Sequence, residues 1–146
     1  MSVKSVWEGA LATAGVAVGA TALTIGLAAP ANAAVTSVRI MPTGQTVSSS
    51  DAMVGTSCTY AVSAKVTNDR PVTVVAARRL GPNQAATVFL ATNKRPMNGM
   101  LTAYWTPKVP GTYYVSAFHY GDRSRPPIKT IKVGSGINLS GTCIVL

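Results

Sequence analysis

Leu101-Thr102-Ala103-Tyr104-Trp105-Thr106-Pro107-Lys108-Val109-Pro110-Gly111-Thr112-Tyr113-Tyr114-Val115-Ser116-Ala117 is the stretch that decides the fold class of this chain. Leu101, Ala103 and Trp105 alternate with Thr102, Tyr104 and Thr106, and the same period of two returns in Tyr113, Val115 and Ala117. Successive side chains of an extended strand point to opposite faces, so each run presents one apolar face to a core. Pro110-Gly111 between the runs is turn chemistry, because Pro presets one backbone angle and Gly tolerates the rest. Two half-buried strands joined by a turn are predicted.

The same pattern extends along the chain. In Cys58 to Val66 the alternate residues Cys58, Tyr60, Val62, Ala64 and Val66 are apolar, and those between are mostly polar. Weaker strands are expected at Val35 to Met41, Pro71 to Ala77, Thr87 to Ala91, Ile128 to Val133 and Thr142 to Val145. Pro42-Thr43-Gly44, Asn68 to Pro71, Gly81-Pro82-Asn83, Asn98-Gly99 and Gly134-Ser135-Gly136 punctuate them as turns. Helical periodicity is missing. Some eight short strands without a crossover helix predict an all-β antiparallel sandwich or barrel in a single domain.

The run Trp105-Thr106-Pro107 followed by Pro110-Gly111-Thr112-Tyr113-Tyr114-Val115-Ser116-Ala117 resembles the bacterial immunoglobulin-like domains. The resemblance covers residues 35 to 146 and implies an immunoglobulin-like antiparallel β-sandwich of about seven or eight strands. It also implies that Tyr113 takes the tyrosine-corner position, its hydroxyl bonding back to the backbone near the turn. Val115 stands where the antibody-type cysteine would be, so that bridge is absent. Trp105, Tyr113 and Val115 are read as core. The closing run from Gly134 to Leu146 is similar to the tails of small secreted actinobacterial proteins with this domain.

Ahead of the strands stands a different kind of segment. Lys4 and Glu8 open the chain, and no charge follows from Gly9 to Ala34. The middle is apolar and ends in Ala28-Ala29-Pro30-Ala31-Asn32-Ala33-Ala34, the small-x-small end of a secretory signal peptide. Residues 1–33 are read as that signal, cleaved after Ala33, and residues 34–146 as the single domain of a secreted, extracellular protein. On this reading the membrane is met only in transit. The alternative is an uncleaved anchor, since Gly9 to Ala29 is long enough to span a bilayer.

Residues 34–146 hold 113 residues, enough for one modest core, with twelve Lys and Arg against Asp51, Asp69 and Asp122. Cys58 and Cys143 are an isolated pair, read in an exported chain as one disulfide, with two free thiols as the alternative. The bridge would tie the second strand to the last strand or tail. With one histidine, His119, and three acids, chemistry that needs paired carboxylates or several His ligands has almost nothing to work with. His119, Asp122 and the many serines spell a hydrolase triad in letters, but no motif positions a serine. No catalytic, metal or cofactor-binding residues are expected, and nucleic acid is not an expected partner.

The basic residues come partly in pairs near turn-rich stretches: Arg78 and Arg79, Lys94 and Arg95, and Arg123 with Arg125. These six are the candidate anion-binding residues, because clustered cations concentrate polyanions, best when they share a face. Tyr104, Tyr114, Phe118 and Tyr120 fall largely on the faces opposite Trp105 and Tyr113, where an exposed row could stack on sugars or meet a partner. The function expected is a secreted, non-catalytic interaction module for anionic cell-envelope components or an extracellular protein. The alternative is a small apolar ligand carrier, which a preformed cavity above about 300 Å³ would favour.

Overall fold

The computed structural model describes residues 34–48 and 54–146. The signal-peptide reading of residues 1–33, and Asp51, lie outside the described residues.

The described residues form strands, turns and loops, with no helix among them. In chain order the strands are β1 (Val35–Pro42), β2 (Gln45–Ser48), β3 (Val54–Gly55), β4 (Tyr60–Val66), β5 (Val72–Gly81) and β6 (Gln84–Lys94). They are followed by β7 (Met100–Trp105), β8 (Gly111–Phe118), β9 (Ile128–Gly134), β10 (Gly136–Leu139) and β11 (Thr142–Val145). One sheet has the order β1-β4-β7, a second β3-β9-β8-β5-β6, and a third, smaller one β10-β11-β2.

Register explains which side chains meet. In the first sheet Trp105 lies opposite Tyr60, Ala103 opposite Val62 and Leu101 opposite Ala64, while Ile40 and Val38 of β1 continue the last two rows. In the second, Val115 lies between Ala76 of β5 and Lys129 of β9, and Ala117 pairs with Val74. Directly opposite residues share a face. The inward residues of both sheets form one apolar cluster, in which Val62, Val74, Ala76, Val115 and Ala117 are fully buried. Trp105 and Tyr113 belong to it and pack edge-to-face with ring centroids 5.1 Å apart. The Tyr113 hydroxyl donates to the Val109 carbonyl at 2.8 Å, tying β8 back to the turn before it.

The turns follow their sequences. Asn98 and Gly99 both have positive φ, 51° and 72°, and Met97 and Met100 on either side exchange hydrogen bonds of 2.8 and 3.0 Å. That is the two-residue hairpin turn Asn-Gly favours, since each central residue must enter the left-handed region.

Several expectations need correction. The described strands number eleven, more than seven or eight, and two of the pairings are parallel, β3 with β9 and β11 with β2. The extra strands β2, β3 and β10 hold four, two and four residues. β2 and β3 are held by backbone pairing to segments far away in the chain, and β10 pairs with the adjacent β11 but is mostly exposed, so none has a covered apolar period to read. The strand predicted from Cys58 begins at Tyr60, with Cys58 in the turn ahead of it. β6 is also longer than the Thr87 to Ala91 expected.

Cys58 and Cys143 form a disulfide with Cα atoms 5.7 Å apart, and both residues are buried. The bridge fastens the β10-β11-β2 sheet to the turn before β4. Beside it the Gly55 N–H donates to the Tyr60 hydroxyl at 2.8 Å, and that hydroxyl lies 3.4 Å from Cys143 Sγ. Gly55 and Gly136 meet backbone to backbone here, and a Cβ on Gly136 would lie 2.8 Å from the Gly55 Cα.

Candidate functional site

The six candidate basic residues do not share a face. β5 runs antiparallel to β6 and β8, so its last residues adjoin the β5–β6 turn and the start of β8. Arg78 and Arg79 stand at that end. Lys94, opposite Val72, and Arg95 just beyond it stand at the other end of the same sheet. Arg123 and Arg125 lie in the β8–β9 loop, also at that other end, beyond the Phe118–Thr73 pairing. The residues therefore divide into two ends, one with Arg78 and Arg79, the other with the remaining four. Lys94, Arg95, Arg123 and Arg125 are all exposed.

Carboxylates are placed unevenly. Among the described residues Asp69 and Asp122 are the acidic side chains, and both lie on the loops of the second end. Arg70 meets Asp122 at 3.0 Å, joining the β4–β5 loop to the β8–β9 loop. His119, which is buried, reinforces that junction through a 2.9 Å hydrogen bond to the Pro71 carbonyl. A carbonyl only accepts, so Nδ1 carries the proton. Nε2 is buried without a partner among the described residues. The Asp122 carboxylate thus serves Arg70 and not the imidazole, so the letters of a triad do not make its geometry. Among the described residues no three His, Cys, Asp or Glu side chains are grouped to hold a metal ion.

At the first end Arg78 and Arg79 part company, as neighbours on a strand must. Arg78 sits opposite Tyr113 on the inner side. Arg79 turns outward beside Tyr114 and the Pro82-Asn83 turn. The inner side opens here into a cleft of about 280 Å³ between β6 and the β7–β8 loop. Its lining includes Trp105, Tyr113, Val88 and Val109, with Arg78 and Lys108 as its two cations. Trp105 and Tyr113 are nearly covered, whereas Val88 and Val109 are exposed. The volume falls just under the lower bound of about 300 Å³ usual for drug-sized ligands.

Comparison with known protein families, curated proteins and solved structures finds no match. The assignment of a role therefore rests on the geometry.

The aromatic residues are dispersed as well. Tyr104 is exposed on the outer face of the β1-β4-β7 sheet, beside Ala61 in register. Tyr114 and Phe118 are half-buried on the outer face of the larger sheet, and Tyr120 projects from the β8–β9 loop. They do not form one row. Lys108, which lines the cleft, was not singled out by sequence reasoning, and Gly111, read there only as a turn residue, lies beside the Arg78 stem. The signal was present in Pro107-Lys108-Val109-Pro110-Gly111, a short loop that has to return β8 against β5.

Proposed function

We propose that this chain is a secreted, non-catalytic binding module with an immunoglobulin-like β-sandwich, which engages anionic polymers of a cell envelope or an acidic extracellular partner. The observation that carries the reading is charge without compensation. Of the twelve lysines and arginines among the described residues, only Arg70 meets a carboxylate. Exposed cations without partners raise the local concentration of polyanions and act at range, subject to salt.

The fold reading draws support from the strand orders. A β1-β4-β7 sheet facing β9-β8-β5-β6 is what strands A, B and E opposite G, F, C and C′ would give. The bond from the Tyr113 hydroxyl to the Val109 carbonyl, at the start of the strand that would correspond to F, supports reading it as a tyrosine corner. The resemblance to domains of small secreted actinobacterial proteins belongs to the same reading. Export is supported by the signal-like residues 1–33 together with the Cys58–Cys143 bridge, which suits an oxidising compartment.

Retention on an immobilised polyphosphate or teichoic-acid column over a sodium chloride series tests the proposal. Elution should move to lower salt when Arg123 and Arg125 are changed together to Ser, or when Arg78 and Arg79 are. Retention that is absent at low salt, or indifferent to salt, refutes it. The carrier alternative rests on the cleft beside Trp105, which at about 280 Å³ falls just short of the volume that would favour it.

A further inference from the structure

We infer that the cleft between β6 and the β7–β8 loop binds a small, flat apolar molecule bearing a single anionic group, such as an aryl carboxylate. The inference deepens the carrier reading and does not depend on polymer binding. Its floor is the edge-to-face pair of Trp105 and Tyr113. The Tyr113 hydroxyl is already committed to Val109, so the tyrosine presents its ring and not a free donor. Val88 and Val109 leave apolar surface exposed on the walls, which a flat ring system would cover. A volume of about 280 Å³ fits a one- or two-ring compound.

The charge follows from Arg78 and Lys108. No carboxylate lines the cleft, and neither cation has a hydrogen bond or ion pair among the described residues. Arg78 is held in place by its stem. Gly111 lies beneath it with φ +142°, and a Cβ there would come within 3.2 Å of Arg78 Cδ. A side chain at position 111 would therefore press on the arginine, so the glycine leaves the space in which the stem lies. A half-buried guanidinium offers a carboxylate two parallel hydrogen bonds, and Lys108 adds a mobile charge from the loop.

Titration of the full chain with 2-naphthoate, followed by two-dimensional NMR, tests this. Saturable shifts are expected at the Trp105 indole N–H and at the Gly111 and Val88 amides. The neutral analogue 2-naphthamide should bind more weakly. Arg78→Gln keeps much of the stem, and Lys108→Gln alters only an exposed loop position. At least one of them should weaken naphthoate binding by about fivefold without changing naphthamide binding. Absence of saturable shifts, equal binding of the amide, or affinity unmoved by both variants overturns the inference. Failure on the polyanion column leaves this titration unaffected, so the two readings fail separately.

Discussion

Replacing Cys58 and Cys143 together by Ala removes a link between residues 85 positions apart. A cross-link lowers the entropy of the unfolded chain in proportion to the logarithm of the loop it closes, and for this loop the gain is about 4–5 kcal/mol at 25 °C. The native state also loses two buried sulfur atoms and the 3.4 Å contact between the Tyr60 hydroxyl and Cys143 Sγ, which adds to the loss. Small domains are stable by about 5–15 kcal/mol, so the variant should keep between almost none and two-thirds of its stability. For a domain of this length that is a fall in Tm of roughly 15–20 °C. Urea unfolding of the oxidised protein and the variant, with the slope fitted for each, measures it. The slope should rise in the variant, because its unfolded chain expands further.

Hydrogen exchange then shows where the loss is felt. The chain-entropy argument requires protection to fall in β5 and β8 along with β2 and β11, since the effect lies in the unfolded state. A stability loss under about 1 kcal/mol would refute the reasoning. So would loss of protection confined to β2, β10 and β11, which would make the bridge a local clasp on that sheet.

Two further outcomes follow from single hydroxyls. Tyr113→Phe keeps the ring against Trp105 and deletes the part-buried bond to Val109, so about 1 kcal/mol should be lost by urea unfolding; an unchanged midpoint would show that this bond contributes nothing. Burial pushes the Tyr60 hydroxyl above its ordinary value of 10.0, against the lowering effect of the Gly55 N–H. The folded state thus favours the protonated phenol, and its contribution is complete below about pH 10 and declines as pH rises toward the folded value. Stability measured through that alkaline range should fall less steeply in Tyr60→Phe than in the parent, although the variant starts lower for want of an acceptor for Gly55.

What the sequence made legible was the part of the fold that buries alternate residues. Tyr60, Val62 and Ala64, like Leu101, Ala103 and Trp105, announce their strands because each has one covered face. β6 announces only its middle. It is an edge strand whose ends are exposed, and its length is set by register with β5 and not by a pattern of its own. β2 and β3 were invisible because their partners are remote, and β10 because its four residues are mostly exposed. In the β10–β11 turn the Gly141 N–H donates to Asn138 Oδ1 at 3.2 Å, a local contact that needs no apolar pattern.

The site was legible as letters and not as groups. Alternation alone separates Arg78 from Arg79, but only the return of β8 along β5 sets Arg78 over Gly111 and brings Lys108 to the same cleft. The division of the other basic residues to the far end likewise depends on strand direction, which composition does not contain.

The parallel pairings of β2 with β11 and β3 with β9 have a consequence for synthesis. β2 and β3 find their neighbours only when residues near 145 and 133 have emerged, so these pairings come late in the synthesis of the chain. A message truncated before residue 142 yields a chain lacking both the β2 partner and the second cysteine. Such a fragment would hold all the strands of the two larger sheets, with β2 unpaired and Cys58 left as a free thiol.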